Sequence, residues 1–306
     1  MAATAGGFPD KALQIMAPAN PGGGWDTTAR MLAQTLTAAG VSPVPVEVFN
    51  VPGAGGTVGL AQMVSQNAGD PYTIMMMGRV MVGSILTNQA PVTLAETTPL
   101  ARLTAEYEII VVPKDSPYQT MQDLVDAFKA DPKSIAWAGG SAGGTDHILI
   151  GQIAKVLGVA PEGINYIAYS GGGEAAASIL GGQVAAGVSG IGEFVDFIES
   201  GEMRALAVSS ADRLEGLPDT PTLVESGVDV TLLNWRGVVG PPNMSDEDKA
   251  WWIDALTKTN ESAEWQEILA TNGWDNVFQT GDEFGATLEE DDAVIGAVLK
   301  EIGLVE

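Results

Sequence analysis

Four glycine-rich turns, Pro21–Asp26, Pro52–Gly56, Gly139–Thr145 and Gly171–Glu174, each fall where a short apolar run gives way to a helical pattern. A chain that repeats strand, tight turn and helix closes most simply as a parallel sheet with helices on both faces. Each turn would present backbone N–H groups and the positive end of a helix dipole to whatever lies in front of it. Several such turns converging on one cleft would bind an anion with little help from basic side chains. Basic side chains are scarce: 14 lysines and arginines stand against 39 aspartates and glutamates, a formal charge of −25.

That charge makes nucleic acid and anionic membrane poor partners, since both need a basic footprint; most of the acidity reads as a solvated surface. At 306 residues the chain is longer than one hydrophobic core usually serves, so two domains are expected. The absence of cysteine removes disulfides, thiol nucleophiles and cysteine metal sites, without fixing a compartment. No apolar run is long enough to insert into a membrane. The opening Met1-Ala-Ala-Thr-Ala-Gly-Gly reads as a short disordered lead-in, with any signal segment already removed.

Along the chain, Leu13–Ala17, Val44–Val51 and Tyr72–Met77 read as strands, with helices over Asp26–Ala39 and Thr57–Gln66. After an apolar run at Glu108–Pro113 the alternation restarts. Thr120-Met-Gln-Asp123 forms a capping-box-like helix start, with Asp in place of the usual Glu. Strands follow at Ser134–Ala138, Ile164–Tyr169, Val184–Ser189 and Ala205–Ser209, and helices at Asp146–Leu157, Glu174–Leu180 and Gly192–Ser200. Leu232–Val239 reads as a long strand, and helices fill the chain from Ser245 onward. The expected architecture is α/β with two lobes, 11–110 plus 235–306 and 111–234. Two crossing strands near Glu108–Pro113 and Leu232–Val239 would join them, and ligands would bind between the lobes off the carboxyl ends of the strands.

Enzyme chemistry is poorly supplied. Pro52-Gly-Ala-Gly-Gly-Thr-Val-Gly59 fails the dinucleotide spacing, because Val58 stands where the third glycine belongs. The sole histidine, His147, sits in the first turn of a predicted helix and reads as structural. Ser141 and Ser170 lie in glycine-rich turns without a nucleophile elbow. The acidic run Glu289–Asp292 lacks EF-hand spacing and reads as a solvated helix face. Arg236, in Asn234-Trp-Arg-Gly237, is the basic residue that stands out: either a planar fork for a ligand carboxylate or half of a structural ion pair. Arg79, after Met75-Met-Met-Gly78, is a second candidate, with the methionines read as core. Trp25 reads as either a pocket wall or core, and Asp26 as the helix N-cap.

Taken in order and spacing, several motifs resemble the extracytoplasmic binding proteins of tripartite tricarboxylate transporters, the TctC or Bug-type family. They are Ala17-Pro-Ala-Asn-Pro-Gly-Gly-Gly-Trp-Asp26, Asn50-Val-Pro-Gly-Ala-Gly-Gly56, Gly139-Gly-Ser-Ala-Gly-Gly-Thr-Asp-His147, Tyr169-Ser-Gly-Gly-Gly-Glu-Ala175, Pro218-Asp-Thr-Pro-Thr-Leu223 and Asn234-Trp-Arg-Gly-Val-Val239. The resemblance covers nearly the whole chain after about residue 11. It implies a two-lobed periplasmic-binding-protein fold, type II-like, that closes on a small carboxylate and performs no chemistry. Carried over, it places ligand contacts at Asn20, Gly22, Gly23, Gly24 and Trp25 in the first lobe. In the second lobe it places them at Ser141, Gly144, Thr145, Gly172, Gly173 and Ser189. Gly78, Arg79, Trp235 and Arg236 complete the expected site, with no cofactor and no metal.

The Gly-Gly-Gly-Trp-Asp form of the first loop is similar to the tricarboxylate-binding branch. A di- or tricarboxylate, citrate-like first, is therefore the expected ligand, and a dicarboxylate or an aromatic carboxylate such as terephthalate the alternative. A hydrolase or transferase using the same cleft, and a sensory partner of a membrane kinase, are the rival readings. The resemblance also implies a periplasmic or extracytoplasmic monomer that meets the membrane subunits of a transporter, with a lipid anchor compatible with the chain.

Overall fold

The structure, a computed structural model, describes residues 7–306; residues 1–6 of the lead-in segment lie outside the described residues. The chain divides into two compact units. Unit 1 comprises residues up to Gly78, Pro91–Thr104 and Trp235–Glu290. Unit 2 comprises Arg79–Ala90, Ala105–Asn234 and Asp291–Glu306.

In unit 1, β1 (Leu13–Ala17) runs parallel to β2 (Val46–Asn50) on one side and β3 (Thr73–Gly78) on the other. β9 (Leu233–Gly240) adds to β3 antiparallel, with Gly78 opposite Arg236, and pairs in turn with β4 (Thr98–Pro113). Every residue of β3 is buried, as expected where both faces of a sheet are covered, and Met75–Met77 are core as the sequence indicated. α1 (Gly24–Ala38) lays Ala29, Leu32, Ala33 and Leu36 into that core, the apolar face read from their spacing. Each fully buried leucine or methionine there contributes about 1.5–3 kcal/mol. α2 (Thr57–Gln66), α8 (Asp246–Glu261) and α9 (Ala263–Asn272) complete the helical cover, the last two capped by Ser245 and Ser262.

In unit 2, β5 (Ala136–Gly139) lies between β6 (Asn165–Ala168) and β7 (Ala186–Gly190), all parallel. β4 joins β7 antiparallel from Glu108↔Gly190 to Val111↔Gly187, and β8 (Met203–Val208) pairs antiparallel with β4 as well. Ile109, Val111, Ile179, Phe194 and Val208 fill one face. Gly187 has no room for a side chain, because a Cβ there would run into Ile179 of α6 (Gly172–Leu180). α4 (Met121–Ala130), α5 (Thr145–Leu157) and α7 (Ile191–Glu199) supply the other helices. The capping box at α4 forms as read: Thr120 Oγ1 accepts the Asp123 N–H at 3.2 Å, and Asp123 accepts the Thr120 N–H at 2.9 Å.

The chain changes unit between Gly78 and Arg79, between Ala90 and Pro91, within β4 between Thr104 and Ala105, at the start of β9 between Asn234 and Trp235, and between Glu290 and Asp291. Three elements differ from the sequence reading. α3 (Arg79–Thr87) follows β3 directly, with Gly78, itself the last strand residue, as the sole break in the sequence. β4 begins at Thr98, ten residues before the apolar run, because Arg102 and Glu106 interrupt its hydrophobic pattern. β10 (Asp275–Thr280), which pairs with β4, stands where only helices were expected. Beyond it, α10 (Gly281–Glu301) carries Glu289–Asp292, mostly exposed as expected.

Candidate ligand-binding site

The first loop of unit 1 connects β1 to α1 through Asn20–Gly23. Gly22 takes φ +85°, a conformation in which a side chain is strained. The N-cap of α1 is Gly23, and no side chain caps the helix; the expectation of Asp26 as N-cap is corrected. Asp26 stands three positions further, inside the first turn, and turns back on the loop. Its carboxylate accepts the Gly22 N–H at 2.8 Å, Arg30 Nε at 2.9 Å and Asn50 Nδ2 at 2.9 Å. Burial pushes the Asp26 carboxyl up, but these hydrogen bonds outweigh it and hold the group below its ordinary value. Asn50, at the end of β2, also donates to Ala19 O at 3.0 Å. The loop is thus tied to the neighbouring strand from both ends, and Asp26 is turned toward these donors.

Arg236 is buried, and its guanidinium lies against the first turn of α1: a Cβ on Gly24 would stand 3.0 Å from Arg236 Cζ. The Trp274 ring also lies near it, 5.5 Å from Cζ to the centroid. Gly78, opposite Arg236 in the sheet, also has no space for a side chain. A Cβ there would meet the Trp235 carbonyl and stand 3.3 Å from Trp25 Nε1. Trp25 is itself buried, and Trp235 is core, edge-on to Phe284 at 5.8 Å. Unit 1 therefore brings Gly24, Trp25, Gly78 and Arg236 together. A guanidinium and the positive end of a helix meeting at one place make a locally positive corner.

In unit 2 the turn Gly140–Gly144 leads from β5 into α5. Gly144 is the N-cap, again with no side chain capping the helix. Ser141 O accepts the Gly144 N–H at 2.9 Å, and Thr145 Oγ1 donates to Asn234 Oδ1 at 3.4 Å. α3 supports this turn: a Cβ on Gly144 would stand 3.1 Å from Val80, and Gly143 at φ +75° leaves no room against Thr87. Arg79 opens α3 and groups with unit 2. Burial lowers its pKa, partly offset by the charges of Asp291 and Glu108.

The second turn, Ser170–Gly171, leads into α6. Ser170 donates its N–H and hydroxyl to Glu174 Oε2 at 3.1 and 3.0 Å. Ser189, at the end of β7, donates its hydroxyl to Glu193, whose carboxylate crowds Gly172 at the start of α6. Gly172 and Ser189 are neighbours, while Gly173 is exposed.

Sequence reasoning missed the carboxylates of this region. Glu106 reaches Gly190, Glu108 is fully buried, and Asp146 accepts the Gly140 N–H at 2.6 Å. Glu108 has no hydrogen-bond donor at either oxygen among the described residues. The group against it is Asp146, also an acceptor, so the pair can close only if one of them holds a proton. Burial, then the charge of Asp146, pushes Glu108 well up; burial pushes Asp146 up to about 7, against the Gly140 hydrogen bond. The only sequence signal was a glutamate heading an apolar run.

His147 Nδ1 accepts the Gly143 N–H at 3.2 Å, and its ring stacks on Tyr166 at 4.1 Å. Burial lowers its pKa to about 4. The ring is therefore a neutral brace of the turn, in keeping with the structural reading.

Helix starts without side-chain caps lie at the carboxyl ends of parallel strands in both units, an arrangement suited to anions. Residues 28–304 match the tripartite tricarboxylate transporter family receptor, and the chain belongs to that family. Protein BugT of Bordetella pertussis is 28% identical over 301 residues, covering 97% of this chain and 90% of BugT. The structure of the periplasmic binding protein BugD superposes with a TM-score of 0.88 at 24% identity, covering 97% of this chain and 99% of BugD. R. palustris Rpa4515 with adipate gives a TM-score of 0.88 at 21% identity, over 97% of this chain and 99% of that one. At those identities the structural likeness speaks for the fold alone. The family is one of substrate-binding receptors, and among the described residues no helix is long and apolar enough to cross a membrane.

Proposed function

We propose that this protein is an extracytoplasmic receptor that captures a small carboxylate and delivers it to the membrane subunits of a tripartite tricarboxylate transporter, without catalysing a reaction on it. The observation that carries this reading is Arg236 held against the start of α1 at Gly24. Two sources of positive potential meet there, and a carboxylate satisfies both. Partly buried helix-end donors contribute up to about 2 kcal/mol each, and a hydrogen bond to a charged group about 1.5–3 kcal/mol. A few of these reach the roughly 8 kcal/mol of a micromolar complex.

Asn20, Gly22, Gly23 and Trp25 frame the carboxylate in unit 1. Ser141, Gly144, Thr145 and Gly173 are the contacts proposed in unit 2. A di- or tricarboxylate remains the ligand class, and adipate bound to a relative of the same fold supports a dicarboxylate as much as citrate.

Thermal-shift measurement with citrate, tricarballylate, succinate, malate, adipate and terephthalate tests the reading. Ligand at 100 times its dissociation constant should add about 2.7 kcal/mol to stability. A selective rise for any of these acids supports a carboxylate receptor. No rise for any, with protein refolded to remove bound ligand, would sink it.

A further inference from the structure

A cavity of about 290 Å³ lies wholly within unit 2, between α5, the segment leading into β6 and the turn that follows α10. Ile164, Ile302 and Leu304 give it an apolar lining, and His147, Tyr166 and Glu162 are its polar members. The turn that closes it is held in place. Ile302 packs where a Cβ on Gly151 would stand, Gly303 at φ +75° abuts Pro161, and the Leu304 N–H returns to Leu299 O at 2.8 Å. The space is therefore preformed, as ligand pockets usually are. An apolar cavity of about 150 Å³ already takes benzene, so there is room here for one substituted ring.

The polar members leave one donor over. His147 Nδ1 accepts the Gly143 N–H, so the neutral ring carries its proton on Nε2. That Nε2–H has no acceptor among the described residues. The Tyr166 hydroxyl is already committed to Gly140 O at 2.9 Å. The charged member of the lining is Glu162, which is exposed, and no cation lines the cavity to offset it. An anion would meet repulsion there, whereas an uncharged oxygen acceptor completes the histidine.

We propose that this cavity is a second ligand site, for an uncharged one-ring molecule whose carbonyl or hydroxyl oxygen accepts from His147 Nε2. Its chemistry is the reverse of the Arg236 corner, and it does not depend on what that corner binds. His147 and Tyr166 hold Gly143 and Gly140 of the turn before α5, so an occupant steadies that turn.

NMR titration of the full chain at pH 7 tests this, because the ring signals of the only histidine report the site directly. Benzamide and benzyl alcohol are the probes, with benzoate as the charged control of equal size. The expected result is a saturable shift of the His147 ring signals with at least one probe. Benzoate should bind at least tenfold more weakly, and amide exchange at Gly143 should slow at least threefold with the probe bound. Leu304→Trp fills the cavity and should weaken the response at least tenfold; Ile164→Phe serves where the first variant does not fold. The proposal is overturned if neither probe gives a saturable shift, if the shift survives in a folded cavity-filling variant, or if benzoate binds as tightly.

Discussion

The guanidinium of Arg236 occupies the space where a side chain on Gly24 would begin. Arginine and helix start are thereby held together, and the receptor reading makes them one anion-binding unit. Arg236→Ala should weaken carboxylate binding by about 2–5 kcal/mol, the range for losing one partner of a buried charge pair. Gly24→Ala should displace the guanidinium tip, which is flexible, and cut affinity with little change in melting temperature. Calorimetry alongside thermal melts checks both, and unchanged affinity in folded Arg236→Ala would make the residue structural.

Gly78 differs, because its close neighbour is backbone. A Cβ there would meet the Trp235 carbonyl, which cannot swing aside. Gly78→Ala should destabilise unit 1 by about 1–3 kcal/mol, the cost of overpacking. Chemical denaturation would show it; a midpoint equal to wild type would contradict the packing described.

Asn50 holds the first loop through Ala19 O and Asp26. Asn50→Ala should cost about 1–3 kcal/mol, since partly buried acceptors lose their donor. Because the loop ordering is lost with it, ligand affinity should fall as well. Hydrogen exchange at Gly22 and Gly23 reads the loop directly, and unaltered protection there would rule out the tether.

Glu108 and Asp146 make stability depend on pH with a definite sign. Both are raised in the folded state, Asp146 from 3.8 to about 7. The fold therefore binds more protons than the unfolded chain between those values, and stability is lost as pH rises toward 7. His147 acts oppositely, its margin being lost as pH falls from 6.5 toward 4. Glu108→Gln removes one shared-proton partner, so its melting temperature should fall less than wild type between pH 5 and 8. Parallel curves for the two proteins would refute the pairing.

His147 is the only histidine in the chain, so its ring signals in an NMR titration need no assignment. They should titrate near pH 4, with the neutral ring intact at pH 6. A midpoint near 6.5 would mean that the stack on Tyr166 opens in solution.

The sequence made most of the scaffold readable because the glycine turns punctuate it. β1, β3, β5 and β7, the apolar face of α1 and the capping box at Thr120 all carry local signals. α3 was hidden because β3 runs directly into it, with Gly78 as the sole break, and the first half of β4 because charged residues break its pattern. Asp26 misled because aspartate before an apolar stripe is an ordinary N-cap, whereas here a glycine caps and the aspartate ties the loop. The acidic face of unit 2 was illegible for another reason. Glu106 and Glu108 come from β4, Asp146 from α5 and Glu193 from α7, and only the sheet order places them together.

The guanidinium's place depends on two glycines from separate elements, Gly24 on α1 and Gly78 on β3, and gaining a side chain at either disturbs it. A lineage shifting to a new ligand could not readily alter that corner by single steps. The carboxylates of unit 2 lie on independent elements and can be exchanged one at a time. In a receptor, divergence in ligand preference should accumulate at positions without such packing constraints, while the arginine corner stays frozen as shared inheritance.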